Sequence, residues 1–240
     1  MLKPVSSWSQ PRMHLRDFSF PLPQDNIQFD DVLFQLADKH EAGEYLRFWE
    51  SPAVCVVLGR ISREDIDVNN TKVQEDNIPL LRRSSGGGTV LQGPGCLNYS
   101  LILSKQKHPD LNDLRKSYEW ISNRVIEALR MSGVEAYFRP ISDMATGLSE
   151  KKFSGNAQRR GKYYILHHGT ILYNFDLNLI SRYLHMPQDI PEYRQNRPHT
   201  DFVTNIAIDP DVFKGNLAKI FNTEGLQAPT IQEFSFLKKI

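Results

Sequence analysis

The residues best suited to chemistry in this 240-residue chain lie in two stretches, Arg82-Arg83-Ser84-Ser85-Gly86-Gly87-Gly88 and Lys152-Phe153-Ser154-Gly155-Asn156-Ala157. Consecutive glycines let backbone pass close to a ligand and present N–H groups to it, and the arginines before them place a cation at the entrance. That combination suits a carboxylate or a phosphate. A plain flexible turn is the competing reading, since glycine runs commonly mark turns. Lys152 precedes Ser154-Gly155 on an expected strand, so an ammonium can project into a cleft while the small residues let a ligand lie against the sheet. An ordinary solvated lysine pair, Lys151-Lys152, is the commoner arrangement, because lysines are mostly exposed.

Other constellations exclude more than they assert. No G-x-x-x-x-G-K-[ST] occurs, and Gly155 to Gly161-Lys162-Tyr163 has one residue too many between its glycines. His167 and His168 are adjacent on an expected strand and point to opposite faces, so they cannot share one metal in the usual way. The other histidines, His14, His40, His108, His185 and His199, show no paired ligand spacing, and no metal site is expected. Cys55 and Cys96 are the only cysteines. Cys55 lies in an apolar run that favours a buried, inert thiol; Cys96, after Gly95 and near the glycine loop, stays open as a nucleophile.

The elements that must position these residues follow from periodicity. Phe29, Val32, Leu33, Leu36 and Ala37 mark one face of a helix that Gly43 would stop. Residues 45–49 and 53–58 read as strands forming a hairpin or lying as neighbours, with Ser51-Pro52 between them. Residues 63–77 read as a polar surface connection, 97–103 as a strand, and Leu114, Tyr118, Ile121, Val125 and Leu129 as a long helix stopped at Ser132-Gly133. Residues 134–139, 152–158 and 163–175 read as strands, the last two joined by a turn at 159–162. A short helix begins at Asp176, residues 186–205 form a long surface loop, and Asp209-Pro210 opens a final helix. Several connections are too short for parallel crossovers, so the class is α/β or α+β, with a mixed, largely antiparallel sheet flanked by helices.

Composition narrows the function classes. At 40% hydrophobic and 24% charged, residues 1–240 suit one globular domain preceded by an extension over 1–25. A net charge of +1 gives no general attraction for nucleic acid or an anionic membrane, so neither is an expected partner. Residues 1–11 lack a signal-peptide core, and no apolar run approaches a membrane span, which makes the cytoplasm the default compartment.

Read in order, Val56-Val57-Leu58-Gly59-Arg60, then Arg82 through Thr89-Val90, then Lys152 through Gln158-Arg159, then His167-His168-Gly169-Thr170-Ile171-Leu172 resemble the lipoate–protein ligase family. The resemblance spans residues 26–206 and implies the fold shared with biotin–protein ligases. It further implies ATP, Mg2+ carried by the nucleotide, and lipoate or octanoate as substrates. The acid would become an acyl-adenylate and then acylate a lysine on a lipoyl domain of a 2-oxoacid dehydrogenase E2 subunit or on the glycine-cleavage H protein. By position, Lys152 matches the lysine between carboxylate and phosphate. Arg83, Ser85, Gly86, Gly87, Gly88 and Val90 match the loop over the acyl chain and adenylate. Asp143 matches an acidic residue near the nucleotide, and Ser154, Gly155, Ala157, Arg159, His168 and Gly169 match the surrounding pocket.

Two departures qualify these implications. Family ligases usually carry a histidine-aspartate pair after the glycine loop, where this chain has Gln92-Gly93. Larger ligases also carry a C-terminal accessory domain that is not expected here, so adenylation would proceed alone or with a separate accessory subunit. Two other readings remain: a cysteine-dependent octanoyl or lipoyl transferase of the same fold, and a non-catalytic binder of lipoate or of a lipoyl domain.

Overall fold

The structure is a computed structural model that describes residues 13–40, 42–226 and 228–237. The segment 1–11, relevant to a signal peptide, lies outside the described residues. In chain order the elements are β1 (Met13–Asp17), α1 (Pro23–Asp38), β2 (Tyr45–Glu50), β3 (Cys55–Leu58), α2 (Glu64–Asp67), α3 (Asn70–Glu75), β4 (Leu80–Arg82), β5 (Val90–Gln92), β6 (Cys96–Ser104), α4 (Leu114–Met131), β7 (Tyr137–Arg139), β8 (Asp143–Thr146), β9 (Lys151–Arg160), β10 (Tyr164–Leu172), α5 (Asn178–Tyr183), α6 (His199–Phe202), α7 (Pro210–Ile220), β11 (Thr223–Leu226) and α8 (Ile231–Leu237).

Eight strands form one sheet in the order β11-β1-β2-β6-β10-β9-β8-β7, and three form a second sheet in the order β4-β3-β5. In the large sheet β1 runs parallel to both neighbours, while every pairing from β2 across to β7 is antiparallel. This is the mixed, largely antiparallel, helix-flanked sheet that the short connections imply. Alternation along the strands separates two cores. Leu101, Leu103 and Ile165 join Ile121 and Val125 of α4 and Phe213 and Leu217 of α7, whereas Ile102 and Leu166 join Phe29 and Leu33 of α1. Among the described residues, no helix is long and apolar enough to cross a membrane.

Several boundaries differ from the sequence reading. β2 and β3 are not a hairpin: they lie in different sheets, and β3 pairs instead with β4 and β5, more than 20 residues further on. The polar stretch 63–77 contains α2 and α3, the latter capped by the Asn69 side chain accepting from Lys72 N. α1 ends at the Lys39 cap, before Gly43, where His40 takes a φ of 61°. β1 lies within the stretch read as an extension, β8 went unread, and α7 is followed by β11 and α8.

A buried ion pair fixes α1 on the sheet. Arg47 of β2 is fully enclosed and donates to Asp30 Oδ1 at 2.7 Å and to the Asn26 carbonyl at 2.7 Å, with Phe18, Phe29 and Trp49 around it. Ser100 Oγ donates to the other Asp30 oxygen at 2.6 Å. Removing one partner of such a pair leaves an uncompensated buried charge. Asp30→Ala should therefore lower unfolding free energy in urea by about 3–5 kcal/mol, while Asp30→Leu combined with Arg47→Met should recover most of the loss. A loss below about 1 kcal/mol for Asp30→Ala would contradict the coupling.

Candidate active site

A cavity of about 970 Å³ lies between β8, β9 and β10 of the large sheet, the second sheet with its glycine loop, and the segment 185–203. The volume suits a ligand larger than a simple carboxylic acid. Part of its wall is apolar, from Ile27, Trp49, Val57, Phe175, Ile180 and Phe202. The polar part gathers Lys152, Asp143, His168, Asn98, Gln92 and Arg194.

A register shift aims Lys152 into this space. β8 and β9 pair Met144 with Ser154 and then Ala145 with Lys152, so one extra residue, Phe153, bulges and is buried in the core beside α4. Lys152 Nζ reaches Asp143 Oδ1 at 2.7 Å, and a Cβ on Gly155 would lie 3.1 Å from that nitrogen. The other Asp143 oxygen accepts from Tyr193 OH at 2.7 Å. The segment after α6 docks on the same strand, with Thr204 N donating to Lys152 O at 2.9 Å. Lys152 is thus a positioned ammonium rather than a loose surface lysine.

Arg83 does not stand at the loop entrance as a free cation. It is 8% exposed, and its guanidinium donates to Gly86 O at 2.8 Å, Gly88 O at 2.7 Å, Val57 O at 3.3 Å and Ser85 Oγ at 3.0 Å. Burial lowers its pKa to about 10. Its charge folds the glycine loop. Gly59 completes the fit, since a Cβ there would run into the Gly87 carbonyl. Ser85 is hydrogen bonded to His168 Nε2 at 2.6 Å, and His168 Nδ1 lies 3.9 Å from Asp30. Ser84 donates to Asp31, which Arg159 meets at 3.1 Å.

Of the residues selected from sequence, the cavity wall contains Lys152, Arg83, Gly87, Gly88, Val90, Asp143, Ser154, Gly155, Ala157, His168 and Gly169. Ser85, Gly86 and Arg159 are not part of that wall, and Arg159 lies over the Phe34 ring. The two histidines separate as alternation requires. His168 faces the cavity, whereas His167 is fully buried between Gln158 and Asn156, and burial, with the adjacent His168, lowers its pKa to about 3.

Sequence reasoning missed Asp30, Tyr193, Arg194 and His199. Asp30 carried a signal, a charge on the apolar stripe of α1 between Ile27 and Leu33. The other three lie in the segment read as a surface loop, where nothing in the residue pattern marks them.

The Gln92-Gly93 departure has a structural form. Asn98 donates to Gln92 at 2.9 Å, Gln92 to Thr170 at 2.7 Å, and Thr170 to Asn98 at 2.6 Å, a ring that satisfies itself. At Gly93 a Cβ would lie 3.1 Å from the Val54 side chain and 3.2 Å from the Phe175 ring, so a larger side chain there requires those neighbours to give by a few tenths of an ångström. Neither Cys55 nor Cys96 lines the cavity. Both thiols are buried, and burial pushes Cys55 up to about 11 and Cys96 further in the same direction. The cysteine-dependent transferase therefore has no thiolate at the site.

The sequence matches the family model of the lipoyl protein ligase A/B catalytic domain over residues 22–216. The chain belongs to this family. It is 32% identical over 165 residues to a probable lipoate-protein ligase A of Mycoplasma pneumoniae, covering 69% of this chain and 47% of that protein. The chain spans about half the length of the curated relatives it matches first. Its fold matches the bi-partite lipoate protein ligase of Thermoplasma acidophilum, described together with its E2 lipoyl domain (TM-score 0.79, 21% identity, 95% and 92% of the two chains). It also matches a lipoate-protein ligase A bound with ATP (TM-score 0.77, 22% identity, 95% and 94%).

Within this lipoyl ligase fold, two outcomes test the geometry. Arg83→Met removes the donors that hold the Gly86 and Gly88 carbonyls, so amide exchange across residues 84–90 should quicken by about 10-fold or more; unchanged exchange would contradict the loop's dependence on Arg83. Between about pH 7 and pH 5 the unfolded chain protonates at His167 and the folded chain does not, so acid removes about 2 kcal/mol of stability. His167→Gln should lose about that much less than wild type in urea titrations at the two pH values, and equal losses would contradict the shift.

Proposed function

We propose that this chain is a lipoate–protein ligase. An oxygen of the lipoate or octanoate carboxylate attacks the α-phosphorus of ATP and pyrophosphate leaves. A lysine amine of the acceptor then attacks the acyl carbonyl, AMP leaves, and an amide forms. The observation that carries this reading is the placement of Lys152 within a cavity that has both an apolar wall and a glycine loop. Negative charge grows on the α-phosphate as the acid attacks, and a fixed ammonium with backbone N–H donors stabilises it without reorganising.

Other parts of the site supply the remaining requirements. Asp143 and Tyr193 hold Lys152 in one direction. Ile27, Trp49 and Val57 offer apolar surface for an aliphatic tail. Magnesium enters with the nucleotide as part of the substrate. ATP bound to one structural relative and the E2 lipoyl domain described with another favour ATP as activator and a lipoyl domain, of an E2 subunit or of the glycine-cleavage H protein type, as acceptor. We read the chain as a catalytic domain that acts in the cytoplasm, where ATP is available.

The test incubates the protein with an apo lipoyl domain, octanoate or lipoate and Mg-ATP, and separately with octanoyl carrier protein without ATP, and reads the mass of the lipoyl domain. Acylation is expected in the first mixture, and acylation confined to the second would overturn the reading. Lys152→Ala should slow the first reaction by about 100-fold or more, the usual scale for losing one charge-stabilising donor. Full activity in that variant would contradict the role given to Lys152.

A further inference from the structure

Arg194 is a cation of the cavity wall that the two chemical steps above leave unused. It ends the turn Glu192–Arg194 and is only 3% exposed. Among the described residues it forms no ion pair. Its Nε donates to Arg197 O at 2.9 Å, and its Nη2 meets Met186 Sδ at 3.0 Å and His199 Nδ1 at 3.3 Å. No described residue accepts from Nη1. A thioether is a weak acceptor, so Met186 offsets little of the charge. The Phe202 ring, 4.6 Å from Cζ, adds a cation–π contact.

The neighbours orient this guanidinium without neutralising it. His199 Nε2–H donates to His185 O at 3.3 Å, which leaves the Nδ1 lone pair for Arg194. The nearby carboxylate is already engaged, since Asp143 gives one oxygen to Lys152 and the other to Tyr193. The other cavity cations already have partners: Lys152 is paired with Asp143 at the point where carboxylate and α-phosphate would meet, and Arg83 is surrounded by carbonyls. A buried cation without a counter-ion is costly to keep, and a planar fork matches phosphate oxygens.

We infer that Arg194 binds the phosphate chain of the nucleotide, with His199 and the Arg197 carbonyl as positioning groups. This rests on the ligase reading. Lys152 serves the point where carboxylate and α-phosphate meet, and Arg194 supplies the positive charge that a polyphosphate still needs.

Calorimetric titration of wild type, Arg194→Met and Arg194→Lys with ATP, inorganic pyrophosphate, adenosine and lipoate tests this. Arg194→Met should weaken ATP and pyrophosphate by about 10-fold or more while adenosine and lipoate bind as in wild type, and Arg194→Lys should regain part of the loss. Unchanged ATP affinity in Arg194→Met would overturn the inference. So would parallel weakening of all four ligands, which would make Arg194 a loop support only. A wild-type protein that binds lipoate but no ATP would overturn the ligase reading itself and this inference with it.

Discussion

The Arg83 guanidinium is buried with no carboxylate beside it among the described residues, solvated by carbonyls of the loop that it shapes. Three successive glycines have much backbone freedom to lose, on the order of 1–2 kcal/mol per residue. Charge-assisted hydrogen bonds to Gly86 and Gly88 oppose that loss at roughly 1.5–3 kcal/mol each. Those bonds also set a cation against the partial negative charge of the two oxygens. The loop then offers an anion less repulsion than its composition alone would allow.

The loop is tied to the sheet through a second set of contacts. Arg83 donates to Ser85, Ser85 is bonded to His168 on β10, and His168 lies near Asp30, which Arg47 and Ser100 hold. The buried pair that docks α1 therefore also indexes the glycine loop against the strand opposite Lys152's own. Alternation on β10 matters here: one histidine faces the cavity, and its neighbour is kept neutral in the core. Gly169, next in sequence, leaves the space that Asn156 and the Tyr99 hydroxyl occupy.

Much of this site was legible because its motifs are short and ordered. Lys152, the glycine loop and His168-Gly169 each sit where small residues or alternation limit the options. What the sequence hid was direction and partnership. Lys152 is aimed by a bulge set by the pairing of β8 with β9, and neither strand announces it. Arg83 read as an open cation because its acceptors, Val57, Gly86 and Gly88, converge only in three dimensions. β3 read as β2's hairpin partner or neighbour because local distance favours adjacent strands, yet its partners are β4 and β5. The segment 186–205 read as surface loop from its prolines and arginines, and that polarity concealed a buried Arg194.

The central claim is that acid and nucleotide meet at Lys152 and form an adenylate with no thiol taking part. Exchange of labelled pyrophosphate into ATP, measured with no acceptor present, tests it most directly. The account predicts exchange that depends on octanoate or lipoate. No exchange with either acid, from protein that acylates a lipoyl domain using an acyl-carrier thioester, would contradict it.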